Sequence, residues 1–122
     1  MKIHTIILLW AGTLLGATPA VVFASDEGSN QTVTVKGEVI DMVCYTDGGL
    51  SGKDHADCAK TCISLGLPVG LKGEDGKTYL LVGDHKPMNK ELVNYAAQTI
   101  TVKGKAVSRD GFNMIENAEV VK

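Results

Sequence analysis

The sequence predicts a mainly β domain with two short helices, closed as a small five-stranded barrel. Three observations carry that expectation. Beyond residue 31 the chain contains five runs that read as strands, the first with a clear alternation of apolar and polar residues. Turn residues rich in Gly and Asp join the later runs in pairs at hairpin spacing. Two intervening stretches instead carry helix start and stop signals.

The elements follow in order. Residues 1–24 open with Lys2 and His4, continue through an apolar run from Ile6 to Leu15, and end in Val22-Phe23-Ala24 before Ser25-Asp26-Glu27. That is the layout of a secretory signal peptide with cleavage after Ala24. The apolar run is too short to span ~30 Å of hydrocarbon, so no stable membrane anchor is expected after cleavage. Residues 25–31 read as a flexible leader and residues 32–122 as one domain.

From Thr32, Val33, Val35 and Val39 fall on one face, with Thr34, Lys36 and Glu38 on the other. Gly37 marks a bend or bulge. Past it, Ile40, Met42 and Cys44 extend the strand with both faces covered. Residues 46–53 form a loop. Asp54 is placed to cap a helix from His55 to Leu65, which Gly66 and Pro68 stop. A hairpin follows, Pro68 to Leu71 and Lys77 to Val82, around Gly73-Glu74-Asp75-Gly76. After a loop over 83–89, Asn89 is placed to cap a short helix from Lys90 to Ala97. The last strands are Thr99 to Ser108 and Phe112 to Val121, turned at Arg109-Asp110-Gly111. The phrase Thr34-Val35-Lys36-Gly37 recurs once, as Thr101-Val102-Lys103-Gly104, which is too little for a repeat array.

This order resembles an OB-fold, and more closely the small exported bacterial OB-fold domains. The resemblance covers Val33 to Val121 and rests on the bent first strand, the Gly70-to-Val82 hairpin and the closing strand pair. It implies an OB-fold-like barrel. The helix inserted after the first strand is a departure from that pattern, and it carries two of the three cysteines.

His55, Cys58 and Cys62 read His-x-x-Cys-x-x-x-Cys. On a helix, Cys58 and Cys62 lie about 60° and about 20° around the axis from His55, so the three share a face, together with Ala59 and Leu65. If that face packs on the end of the first strand, Cys44 joins them. The set Cys44, His55, Cys58 and Cys62 suits Zn(II), or Cu(I) held by a subset. Met42, two residues before Cys44 on the expected strand, would point the same way, although core packing is its ordinary role. The alternative is a disulfide from Cys44 to Cys58 or Cys62, leaving one spare thiol on a non-catalytic binding module.

Other chemistries find little support. The 122-residue chain has 14 acidic and 12 basic side chains, and without residues 1–24 it keeps 11 basic against 14 acidic. That balance, with few aromatics, opposes nucleic-acid binding. Cys-x-x-Cys is absent, so a thioredoxin-type pair is not expected. His85 reads as a lone exposed histidine, Asp41 and Asp84 have no partner spacing for acid–base work, and no oxyanion donor can be named for a Cys–His nucleophile. The expectation is therefore a periplasmic or secreted metal-binding protein that exchanges its ion with another periplasmic protein, or uses it structurally, rather than an enzyme.

Overall fold

The computed structural model describes residues 30–122; the expected signal peptide, residues 1–24, and residues 25–29 of the expected leader lie outside the described residues. Strand β1 (Gln31–Asp41) runs antiparallel to both β2 (Val69–Gly73) and β4 (Thr99–Arg109). β2 pairs with β3 (Thr78–Leu81), and β4 pairs with β5 (Phe112–Val121), in both cases antiparallel. A parallel β3–β5 contact completes the circuit, giving a closed barrel in the order β1-β2-β3-β5-β4. This is the small OB-fold-like barrel that the sequence predicts. Among the described residues no helix is long and apolar enough to cross a membrane.

The barrel interior is filled by alternate strand residues. Val35, Val39, Leu71, Leu81, Val102 and Ile115 form its centre, with Tyr79 and Ala118 beside them. Three helices sit outside the strands: α1 (Met42–Gly48), α2 (Ala56–Ser64) and α3 (Asn89–Leu92), the last followed by a 3-10 turn at Val93–Tyr95. Ala59 and Ile63 of α2 and Leu92 of α3 join the same core. The end of β1 is covered on both faces as expected, since Val39, Ile40 and Asp41 are all buried.

Several local expectations need correction. β1 does not continue to Cys44. It stops at Asp41, whose carboxylate accepts from the Val43 and Cys44 amides and so caps a new helix, α1. Gly49, with φ +67°, closes that helix by donating to the Cys44 and Tyr45 carbonyls. Asp54 caps nothing: it lies in a 3-10 turn, Lys53–His55, and α2 starts without a side-chain cap. Asn89 is likewise not a cap. It is the first residue of α3, and its amide donates to the Ile63 and Leu67 carbonyls at 2.8 and 2.7 Å, tying down the C-terminal end of α2. The second predicted helix is split, with Val93–Tyr95 tightening into the 3-10 turn.

The recurring Thr-Val-Lys-Gly phrases find a physical reason in the register. They lie on neighbouring antiparallel strands and pair around Val35 opposite Val102. Each ends in a glycine where backbones crowd. A Cβ on Gly37 would come within 2.9 Å of Gly73 Cα and would also strike the Lys72 carbonyl. One on Gly104, at the irregularity between Lys103 and Lys105, would meet the Glu116 carbonyl at 2.7 Å.

Two predictions follow from this packing. Gly37→Ala and Gly104→Ala should each lower the free energy of unfolding by about 1–3 kcal/mol, read from urea denaturation, because backbone atoms cannot yield as a flexible side chain would. The second concerns Tyr79, a buried residue whose part-buried hydroxyl donates to Asp75 at 2.6 Å. Burial, then the Asp75 bond and charge, push this phenol up from 10.0 to about 12. The folded state therefore favours the neutral form. Its contribution is complete below pH 10.0 and is lost as pH rises towards about 12. The unfolding midpoint should fall across that interval, and fall less in Tyr79→Phe.

Candidate metal centre

The turn from β1 into α1 builds the site. Asp41 is 1% exposed, an unusual position for a carboxylate, which is seldom fully buried without partners. Its Oδ1 accepts from Val43 N at 3.0 Å and its Oδ2 from Cys44 N at 3.2 Å. These bonds fix the first turn of α1 and with it the direction of the Cys44 side chain. The loop that follows is held against the barrel: Gly52 N donates to the Glu38 carboxylate, and Lys72 Nζ donates to Ser51 Oγ at 3.2 Å. The chain then enters the 3-10 turn carrying His55 and the helix carrying Cys58 and Cys62.

The functional side chains form two groups. The sulfurs of Cys44, Cys58 and Cys62 all lie within 4.8 Å of one another. So do the ligating atoms of Asp41, Cys44 and His55. Cys44 belongs to both. Two donors bound to one ion at about 2.3 Å each can stand no more than about 4.6 Å apart, so these separations are close to what a shared ion demands. Either group could hold a metal ion. Among the described residues all three thiols are free and no disulfide joins them, so the stapled alternative lacks its bridge.

Burial differs across the cluster. Asp41 is fully enclosed, Cys44, His55 and Cys62 are partly buried, and Cys58 is exposed. The inward face of α2 is centred on Ala59 and Ile63. Leu65, expected on the buried face, is 78% exposed, because it lies past the last turn of α2 where Gly66 redirects the chain. His55 Nε2 stands 4.0 Å from Asp41 Oδ2. That nitrogen is buried and has no hydrogen-bond partner among the described residues.

The electrostatics are those of a negative pocket. Hydrogen bonding to the Asp41 carboxylate, then burial and the Asp41 charge, push the Cys44 thiol up from 9.0 to about 12. Burial, reinforced by the Asp41 charge, raises Cys62 as well, against a lowering contribution from Cys44. Asp41 has no lysine or arginine partner among the described residues.

Two residues need reassignment. Met42 does not share the face of Cys44: on a helix, residues two apart point about 200° away from each other. Its sulfur sits over Gly70, and it lines a cleft with Tyr45 and Lys72 instead. Asp41 joins the site although its sequence spacing suggests no paired chemistry. The usable signal was Asp41 followed seven and eight residues later by Gly48-Gly49, which marks a short helix with a cap at each end. His85 is exposed and belongs to neither group.

The fold and the cluster together define the class: a small OB-fold-like barrel with a thiol-rich cluster whose donors are close enough that they could hold a metal ion. No protein-family model, curated protein or solved structure matches the chain.

Thiol accessibility supplies the test of this geometry. A thiol with a pKa of about 12 is only about one part in ten thousand thiolate at pH 8, and the thiolate is the reactive form. Alkylation of the metal-free protein followed by peptide mapping should therefore modify exposed Cys58 first and Cys44 last. Asp41→Asn removes the charge that raises Cys44 and should speed its modification at the same pH. Preferential labelling of Cys44 in the unaltered protein would contradict the arrangement.

Proposed function

We propose that this protein is an exported carrier of a soft metal ion, Cu(I), held by the thiolates of Cys44, Cys58 and Cys62. The observation that carries this reading is the convergence of three free sulfurs, one from α1 and two from α2, within 4.8 Å. Thiolates select soft and borderline ions, and three of them satisfy Cu(I) without a further ligand. The exposure of Cys58 supports carriage over a purely structural role, because an incoming ligand from a partner needs an open edge from which to displace a sulfur. A metal-exchanging protein of the same compartment is the partner this chemistry calls for. The signal-peptide pattern of residues 1–24 supports a location outside the cytoplasm.

A second reading has its own support. His55 Nε2 is buried and unpartnered among the described residues, and the His55 ring offers a nitrogen within 4.8 Å of the Cys44 sulfur. As a fourth ligand to the sulfur-bound ion it would complete a Cys3His set, which is a zinc set. The two readings separate by metal content.

The intact mass of the mature protein, recorded under native conditions after purification from its own compartment, decides the matter. The expected result is a mass increase that includes one copper ion, lost on acidification with recovery of three free thiols. Cys44→Ser and Cys62→Ser should each abolish stoichiometric binding of copper. Retention of the ion in both variants would remove the thiolate assignment, and a metal-free mass two hydrogens light would replace it with a disulfide.

A further inference from the structure

The three-sulfur group leaves part of the cluster unexplained. Asp41 is enclosed, with a side-chain exposure of 0%, and the His55 side chain is 12% exposed. A buried carboxylate is costly unless a positive charge or hydrogen bonds compensate it. Two backbone amides supply part of that compensation, one to each oxygen. An ionised carboxylate has about four lone-pair directions, so each oxygen keeps capacity to spare.

His55 Nε2 faces the same space. If that nitrogen carries a proton, the proton has no acceptor in hydrogen-bonding geometry among the described residues. If it carries a lone pair, the lone pair lies 4.0 Å from a carboxylate oxygen, and the nearby Cys44 thiol proton that could meet it is drawn to Asp41 instead. A cation bound by all three resolves the conflict. It satisfies the nitrogen, neutralises the carboxylate and draws on a second lone pair of the sulfur.

We propose that the cluster binds two metal ions bridged by the Cys44 thiolate, the second being a borderline divalent ion, Zn(II), held by Asp41, His55 and Cys44. The proposal rests on the preceding reading for its first ion. The donors divide by softness. Three sulfurs favour Cu(I), whereas one imidazole, one carboxylate and one thiolate suit zinc. Cys44 is the one residue common to both groups, and a thiolate sulfur has lone pairs enough to serve two ions. The capping bonds from Val43 and Cys44 to Asp41 hold the carboxylate in place for this role, as outer hydrogen bonds do in other metal sites.

The test uses the full chain, stripped of metal under reducing conditions, loaded with one equivalent of Cu(I) and then titrated with Zn(II). Native mass spectrometry counts the ions and circular dichroism checks the fold. The unaltered protein should hold one copper and one zinc. His55→Phe should keep the copper and lose the zinc, and Asp41→Asn should weaken zinc binding by about tenfold or more. Cys58→Ser/Cys62→Ser should lose the copper and keep one zinc. Copper held with no zinc overturns the second site alone. Zinc that survives both His55→Phe and Asp41→Asn overturns it too. Failure to hold copper overturns the three-sulfur reading and the two-ion proposal with it. Should His55→Phe or Asp41→Asn lose its fold, the double serine variant decides: one zinc retained supports the second site, and none overturns it.

Discussion

Asp41 stands where strand β1 must end and the rest of the molecule must be turned towards a single corner of the barrel. Its backbone is still paired with β2, opposite Val69, while its side chain already accepts two amides from the first turn of α1. A side chain at this position with no acceptor oxygens would leave those amides unsatisfied in a covered place, at a cost of about 1–2 kcal/mol for the lost cap alone. More follows from the geometry than from that energy. The cap converts the period of two, which would send Met42 and Cys44 to the same side, into the helical period that sends them to opposite sides. Met42 is thereby spent on Gly70 and Cys44 is presented to α2.

The opposing wall of the cluster is fixed from a different direction. α2 is only nine residues long, too short to persist alone in water, and its place depends on what it buries and how its end is tied. Ile63 is fully enclosed and Ala59 nearly so, anchoring the inner face to the barrel. The Asn89 amide, reaching from α3 to the Ile63 carbonyl in the last turn of α2 and to the Leu67 carbonyl just beyond it, ties that end of the helix in place. Cys62 directly precedes Ile63 and so inherits its rigidity. Cys58 directly precedes Ala59, but it comes only two residues after the uncapped start of α2, where the helix turns towards solvent. The three sulfurs thus meet across a graded boundary, from the enclosed end at Asp41 to the open end at Cys58.

Much of the barrel was legible because its signal is local. Alternation along Val33, Val35 and Val39, the Gly-Glu-Asp-Gly hairpin, and the Asp110-Gly111 turn with φ of 51° and 81° each follow from residue preferences over a few positions. The grouping of Cys58 and Cys62 with Cys44 was legible too, from helical spacing and the need to cover the end of β1. What escaped was each feature whose local and tertiary cues disagree. Ile40, Met42 and Cys44 continue the strand pattern in apolar character, yet the cap overrides it. Asn89 looks like a cap by sequence, but a long-range pair of carbonyls claims its amide. Leu65 fits the helical face by angle, and the helix ends before that angle matters. Asp41 is the sharpest case, since a carboxylate's role as cap or ligand depends on what the fold brings opposite it, and His55 lies fourteen residues away, beyond α1 and the loop that follows it.

The same carboxylate also bears on the reactivity of the sulfur that the two groups share. Disulfide formation begins with a thiolate, and so does metal ligation. By holding a proton on Cys44 up to a pKa of about 12, Asp41 keeps the sulfur nearest the centre of the cluster in its unreactive form at neutral pH. An oxidant must meet Cys44 as a thiol. A metal cation meets it differently, because the negative potential that disfavours a bare thiolate attracts the ion, and the ion's own charge then offsets the cost of losing the proton. On the proposed reading, Asp41 therefore biases one set of sulfurs away from oxidation and towards metal entry with a single electrostatic device. The bias is greatest at Cys44, the residue that both groups share, so the proton on that sulfur separates the metal-free cluster from the loaded one.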